Sequence, residues 1–459
     1  MSTRWLIVPS EMRSREFDAK LLLACVAAER GLRTVVGSRT AIHLCVGLFP
    51  RSIWLAKDLF GSSLKMTRIL RALGHRVVAL DEEALVWYSR ERYLAARVSP
   101  LVMDLTEELF AWGEANAENW RAAPAWHGQP IHVTGNPRFD LMRPELRGFF
   151  DDERRALEAR FGRPLLVNSN FGSVNHFVRQ HGLHEPGSIS AERRLAGNTQ
   201  ERDFHDRLAG HRRRLFEAFL GALPALSRAF PARAIVVRPH PAENADTWRK
   251  AVVGLPNVEV LYEGNVVPWL LAAGVVVHNG CTTGIEANVL GTPVVAYRPW
   301  RDEELDLALP NQLSLDASDE RELIERCERA FARTLTPTAS ELERQAALKA
   351  RHLAALSGPF AAECIVDRLA ELAAAPLPAT PWHARLRAHV DALRRRWKKL
   401  RNAHLSEHKN SAEYTAHRFP PLSRAEVEAR IVRLQRLTGR FAGVSVRQRA
   451  PNVFVIARR

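Results

Sequence analysis

Short apolar runs alternate, along the first 150 positions, with longer stretches in which apolar and polar residues interleave. Trp5-Leu-Ile-Val8 predicts a buried strand, Glu16 to Arg30 a helix stopped by Gly31, and Arg33-Thr-Val-Val36 a second strand. A helix over Leu64–Leu73, ended by Gly74, leads into a strand at His75–Leu80, and Glu108–Trp112 and Ile131–Thr134 read as later strands. Strands separated by helices form parallel sheets through right-handed crossovers, so residues 1–150 are expected to be a doubly wound, Rossmann-like domain.

A second series begins after the charged Asp151–Arg160 stretch. Its strands are predicted at Pro164–Asn168, Ala234–Arg238, Val258–Leu261, Val275–His278 and Pro293–Tyr297, with a long helix over Glu201–Phe230. Between the first strand and that helix, Phe171–Thr199 is polar and aperiodic and reads as a functional loop. Residues 151–375 are thus expected to be a second doubly wound domain. The fold class is α/β, with two Rossmann-like domains whose ligands meet the carboxyl ends of the strands in a cleft. Gly135-Asn136-Pro137 fixes a turn and is expected to be the hinge between them. Pro376-Leu-Pro-Ala-Thr-Pro381 reads as a linker to a mostly helical tail, 376–459, with a capping box at Ser423-Arg-Ala-Glu426.

With 46% hydrophobic and 25% charged residues the chain is an ordinary globular sequence, which excludes disorder. Five cysteines without a CxxC pair exclude a disulfide framework and a zinc signature, and fit a reducing compartment. The apolar run at the start is too short for a signal peptide and none is long enough for a membrane span, so a cytoplasmic protein is expected, at most resting on the inner face of the membrane. The formal charge of +15 is unevenly placed: residues 377–459 carry 19 basic and 5 acidic residues, against 47 and 46 before them. Arg385–Arg401 holds eight basic residues and one acid, Asp391. In it Leu386, Val390, Leu393, Trp397 and Leu400 fall on one helical stripe, which suits an anionic membrane surface; the alternative is that the stripe packs on the second domain. Nucleic acid is not an expected partner, because the tail carries no reading motif or stacking platform.

Candidate chemistry collects at predicted strand ends. Arg238-Pro-His240-Pro and His278-Asn-Gly-Cys-Thr-Thr-Gly-Ile-Glu-Ala287 each follow an apolar strand. The second places Asn279, Gly280, Thr282, Thr283 and Gly284 between the strand and a helix expected over Ile285–Leu290, where free N–H groups and hydroxyls suit a phosphate, and Arg238 and His240 could reach the same anion. Asp81, Glu82 and Glu83 follow a strand and are candidate catalytic carboxylates, with Glu11 and Glu16 after the first strand as further candidates. Arg15 is placed to bind an anionic sugar or acceptor, and Asn168, Ser169 and Asn170 sugar hydroxyls or phosphate oxygens. His176, His181 and His184 lack partnered carboxylates, so no metal is expected. Trp5, Trp54 and Trp112 read as core.

These motifs, in this order, resemble the GT-B glycosyltransferases that use CMP-activated acidic sugars, in which an HP motif and a Ser/Thr motif hold the CMP moiety. A closer resemblance is to bacterial surface carbohydrate biosynthesis proteins related to β-Kdo transferases. It rests on Glu11-x3-Arg15-Glu16, Asp81-Glu-Glu83, Phe110-Ala-Trp-Gly113, Thr134-Gly-Asn-Pro-Arg-Phe-Asp140 and Asn168-Ser-Asn-Phe-Gly172, over roughly residues 1–375. The sialyltransferases commonly place Gly after the acidic pair; here Ala84 follows Glu83. The resemblance implies a metal-independent enzyme without a cofactor. It would transfer a Kdo-like sugar from a CMP donor to an oligosaccharide or lipid-linked acceptor, with Glu286 near the donor ribose. A nucleotide-sugar epimerase and a non-catalytic assembly scaffold are the alternatives.

Overall fold

The computed structural model describes residues 4–177, 199–405 and 411–459. The chain forms two compact units, one of Met1–Leu85, Ser89–Phe149 and Lys349–Arg459, the other of Val86–Tyr88 and Phe150–Leu348.

The first unit is built on an eight-stranded sheet. Its parallel part is β1 (Trp5–Ser10), β2 (Arg33–Ser38), β3 (Ile53–Ala56), β4 (Arg76–Ala79), β5 (Glu108–Ala111) and β6 (Ile131–Val133), in the order β2-β1-β3-β4-β5-β6. Short strands of this kind, buried on both faces, are near-continuous runs of Val, Leu and Ile. Trp54 and Trp112 lie in the core as expected; Trp5 is half-buried with the Arg33 guanidinium 5.7 Å from its ring. The second unit holds six parallel strands: β7 (Leu165–Asn168), β8 (Ile235–Arg238), β9 (Val258–Val260), β10 (Val275–His278), β11 (Val294–Tyr297) and β12 (Leu315–Ala317), in the order β12-β11-β10-β7-β8-β9. The long Thr199–Ala229 helix packs its aromatic face, Phe216 and Phe219, on Phe171 and Trp248 over this sheet.

The tail differs from expectation. From Lys349 the chain belongs to the first unit, so 376–459 is not a domain of its own and the second unit does not extend to 375. The Ala361–Ala374 helix packs on the Asp18–Glu29 helix, and the buried Asp140 carboxylate accepts from Ala361 N and Ala362 N, both at 2.8 Å, which caps its first turn. The last residues are not helical: β13 (Val444–Ala450) and β14 (Val453–Arg458) form a hairpin, and β14 pairs antiparallel with β2. Nor is Asn136-Pro137 the place where the chain changes units, which happens at Phe149–Phe150. Asn136 instead caps the short Pro137–Asp140 helix by accepting from Arg138 N at 3.0 Å.

The join of β14 to β2 depends on Gly37. Its φ is +146°, and a Cβ there would stand 2.0 Å from the Asn452 carbonyl oxygen. That oxygen accepts from Ser38 N at 2.8 Å. Gly37→Ala is therefore expected to destabilise the protein by about 2–4 kcal/mol, read from its urea midpoint, because backbone on both sides must move.

Candidate functional site

In the second unit the order of strands reverses direction at β7, whose neighbours are β8 and β10. Ligands of open α/β sheets bind outside the carboxyl ends at such a switch point. There the register aligns Asn168 with Arg238 on one side and with His278 on the other, so three sequence-predicted segments meet in one row. Asn168 is buried, and its Nδ2 has no hydrogen-bond partner among the described residues. Beside it, the Asn279 amide donates to Asn170 O at 3.5 Å, while the same oxygen accepts from Arg212 at 2.7 Å.

The turn after β10 is shaped by His278. Its Nδ1 accepts from Gly280 N at 2.9 Å, and its Nε2 is 2.7 Å from Ser314 Oγ. Gly280 takes the left-handed φ of +82° that this turn requires. Burial, with Arg298 nearby, lowers the His278 pKa to about 3, so the ring is neutral. Thr282 and Thr283, half-buried, open the nine-residue Thr282–Leu290 helix. Gly284 has a packing role rather than the ligand role expected of it: a Cβ there would lie 2.5 Å from His278 Nε2.

Glu243, which sequence reasoning missed, ties this site together. Buried, it accepts at Oε1 from Ser169 Oγ (2.7 Å), Phe171 N (3.0 Å) and His240 N (3.0 Å), and at Oε2 from Trp248 Nε1 (2.9 Å). Burial raises its pKa despite these donors. Ser169 is thereby committed to Glu243, which corrects its assignment to a sugar. Arg238 is likewise more internal than expected. It donates to the Glu263 and Gly264 carbonyls at 3.1 and 2.7 Å and stands 5.0 Å from the Tyr262 ring centre. Burial lowers its pKa to about 10, leaving it charged at neutral pH. Glu286 is 1% exposed and contributes to the field at Arg238, so its carboxylate is closed to solvent and not presented to a ribose. His240 is exposed, and its Nδ1 accepts from Ala242 N at 3.2 Å, which in the neutral ring puts the proton on Nε2.

In the first unit the acidic triplet after β4 divides three ways. Asp81 is buried and held by Arg97 through two hydrogen bonds of 3.0 and 2.6 Å and by Tyr93 at 3.2 Å, so it is a framework residue and not the expected catalytic one. Glu82 is buried against Lys20 at 3.0 Å and Asn136 at 3.4 Å. Burial opposes its ionisation, but Lys20 and Arg138 outweigh this and lower its pKa, so it too is committed internally. Glu83 alone is exposed, at 47% of its side chain, with Arg97 at 2.8 Å and Arg15 at 3.7 Å. Burial of part of its surroundings raises its pKa, yet Arg15, Arg97 and Lys57 prevail and hold it at about 2. Lys20 was missed; it bridges Glu16 at 2.7 Å, Glu82 and the Pro9 carbonyl at 2.8 Å. A lone lysine directly before the apolar run Leu21–Val26 was the available signal.

Glu11, the remaining candidate, lies where β1 and β3 part. It is paired with Arg418 at 2.5 Å, Arg39 at 3.4 Å and Lys57, a cluster that takes it out of the catalytic set. Beside it is a pocket lined by Arg39, His43, Trp54, Lys57 and Asp58 among others. His176 is described, whereas His181 and His184 lie outside the described residues; among those described, no group of His, Cys, Asp and Glu could hold a metal ion.

No protein-family model and no curated protein matches the chain. Among solved structures, a Listeria monocytogenes protein described as a UDP-N-acetylglucosamine 2-epimerase superposes with a TM-score of 0.51 at 13% identity, covering 83% of this chain and 100% of its own. The Neisseria meningitidis UDP-GlcNAc 2-epimerase bound to UDP-GlcNAc gives 0.47 at 13% identity over 80% and 99%, and a variant of the wall teichoic acid polymerase TagF gives 0.49 at 9% over 81% and 88%. The Listeria likeness is one of fold: two Rossmann-like domains of the GT-B type.

Two outcomes test this geometry. Glu243→Gln sets an amide N–H against the Trp248 donor and is expected to cost about 1–3 kcal/mol in chemical unfolding. For His278 the folded pKa of about 3 lies below the unfolded 6.5, so the folded state binds fewer protons between these values and stability falls as pH drops through that window. In His278→Asn the slope of stability against pH between them should flatten by up to about 1.4 kcal/mol per pH unit, one proton's worth.

Proposed function

We propose that the protein is a metal-independent glycosyltransferase of the GT-B type. It would transfer an acidic, Kdo-like sugar from a CMP-activated donor to a growing surface polysaccharide or glycolipid, at the cytoplasmic side of the membrane. The observation that carries this reading is the row Arg238–Asn168–His278 at the switch point of the second unit, with the Asn279–Thr283 turn beside it. Buried positive charge, a helix start and small hydroxyl residues together suit an anion. The order of motifs supplies the donor class.

In this reading the donor phosphate accepts from the exposed His240 Nε2–H, the Thr282 and Thr283 hydroxyls and the first N–H groups of their helix. Arg238 acts as a positioning residue that holds the 263–264 loop and adds positive potential. Stabilising the phosphate as charge grows on it favours breakage of the bond from the anomeric carbon to the CMP oxygen. The acceptor oxygen forms the new bond to the anomeric carbon, the bonding pair leaves with the CMP phosphate, and the hydroxyl proton passes to water. Glu83, held ionised by Arg15 and Arg97, is too weak a base to take that proton efficiently near neutral pH. Its part is to orient the acceptor hydroxyl or to offset positive charge developing on the sugar ring.

The second reading is a nucleotide-sugar 2-epimerase, the activity named for the Listeria protein that shares the fold. The third is a scaffold that binds no donor. Calorimetric titration with CMP, UMP, CMP-Kdo and UDP-GlcNAc separates them. We expect CMP and CMP-Kdo to bind, and His240→Ala to weaken both by about tenfold, the loss of one charge-assisted hydrogen bond. Tight CMP binding unchanged by His240→Ala would remove the site assignment. Conversion of UDP-GlcNAc to its 2-epimer without acceptor would sink the transferase reading, and absence of any nucleotide binding would favour the scaffold.

A further inference from the structure

The Trp382–Asn402 helix is fixed to the first unit by only one of its faces. Ala388 and Ala392 are buried in the cluster formed by Ile42, Val46, Met66 and Leu70. Gly47 permits the close approach: a Cβ there would lie 3.2 Å from His389 Nδ1. The opposite face is bare. Trp382 is 76% exposed, Leu386 59%, Leu393 55% and Trp397 73%, with Val390 and Leu400 also exposed between them. The expectation that this stripe could be buried by packing therefore fails, because small alanines, not the large apolar residues, make the contact. A contiguous apolar stripe on a helix of this length, about 30 Å, is unusual on a solvent-facing surface.

The charge beside the stripe is also unspent. Elsewhere in the C-terminal segment arginines neutralise carboxylates of the first unit: Arg418 with Glu11, Arg430 with Asp18, Arg440 with Glu29 and Glu363. Among the described residues the eight cations of Arg385–Arg401 have one ion pair, Arg394 with Asp391 at 3.9 Å. Two of them, Arg395 and Lys399, are half-buried and lie in each other's field and in that of Arg39. Arg39 itself reaches Glu11 and Asp58, at 3.4 and 3.7 Å. Arg395 Nε is buried without a hydrogen-bond partner. The three cations press on buried His43, whose pKa burial and these charges lower well below its usual value. Lys399 is brought down to about 8 by burial and by its cationic neighbours. Arg395 and Lys399 share the unit-facing side of the helix with Ala388 and Ala392, whereas Arg387, Arg394, Arg396, Lys398 and Arg401 are exposed and flank the apolar stripe.

We propose that this helix docks the protein on an anionic bilayer, its Trp/Leu stripe entering the headgroup boundary and the exposed Arg394, Arg396, Lys398 and Arg401 on its flanks meeting lipid phosphates. A bilayer fits because both halves of the surface, apolar and cationic, are satisfied at once by an interface that is apolar beneath and anionic above. Among the described residues no helix is long and apolar enough to cross a membrane, so the contact is in-plane. The proposal is independent of the donor and of the reaction.

Flotation of the full chain with vesicles of phosphatidylcholine, alone or mixed with phosphatidylglycerol, tests it. The protein should float only with the anionic vesicles. Leu393→Glu with Trp397→Glu should abolish flotation. Arg396→Gln with Lys398→Gln should weaken vesicle binding by about tenfold or more while leaving the melting temperature unchanged, since both side chains are exposed. Anionic vesicles left unbound, or bound undiminished by either double variant, would overturn the proposal. So would a dimer, seen by light scattering, that the stripe variant dissociates without any flotation of the parent.

Discussion

The first unit stands on the antiparallel pairing of β14 with β2. Without it β2 would be an open edge, with a row of unpaired N–H and C=O groups beside a strand buried on its faces. The pairing is also what turns the last hundred residues from an appendage into part of the body. Once β14 is seated, the capped Arg424–Thr438 helix packs back over the Asp18–Glu29 helix, and Arg430 and Arg440 come within reach of Asp18 and Glu29. Gly37 is the local condition, since only a residue without Cβ lets Asn452 approach.

Asp81 and Glu82 of the first unit and Glu243 of the second are held by opposite means. In the first, Asp81 and Glu82 are compensated by full charges, Arg97 and Lys20, and Lys20 ties the segment after β4 to the Pro9 carbonyl of β1. Removing one partner from such a pair leaves an uncompensated buried charge, which is more damaging than loss of the pair as a whole. In the second, Glu243 has four neutral donors and no cation, so burial wins and its pKa moves up. Neutral donors come from three separate segments, and their convergence on one side chain fixes loop geometry without fixing charge. This suits a site whose positive potential has to be left for a ligand.

The parallel strands were legible because each is a short run of β-branched or aliphatic residues bounded by Gly or charge, as in Val275–His278. The β13–β14 hairpin was not. Alternation in Val444-Ser-Val-Arg447 is broken by Gln448, and the basic composition of the segment masks the period-two signal. At the sites, strand-end positions could be read from the sequence and side-chain direction could not. Arg238 and Ser169 sit where expected along the chain, yet their polar atoms turn to the Gly264 carbonyl and to Glu243. Ion-pair partners distant in sequence, such as Arg97 for Asp81 and Arg418 for Glu11, leave no local pattern at all.

That difference also sorts the candidate carboxylates. The three consecutive acids lie in the turn after β4 and do not share one environment: two are buried and are met by cations, and one is exposed. Asp81 and Glu82 find those cations inside the unit. Glu83 keeps an exposed oxygen while the same Arg97 that holds Asp81 also touches it at 2.8 Å. Arg97 therefore links the framework carboxylate to the exposed one: whatever fixes Asp81 fixes the charge and direction of Glu83. A substitution at Asp81 would then act on Glu83 through a shared guanidinium, without Asp81 meeting any ligand.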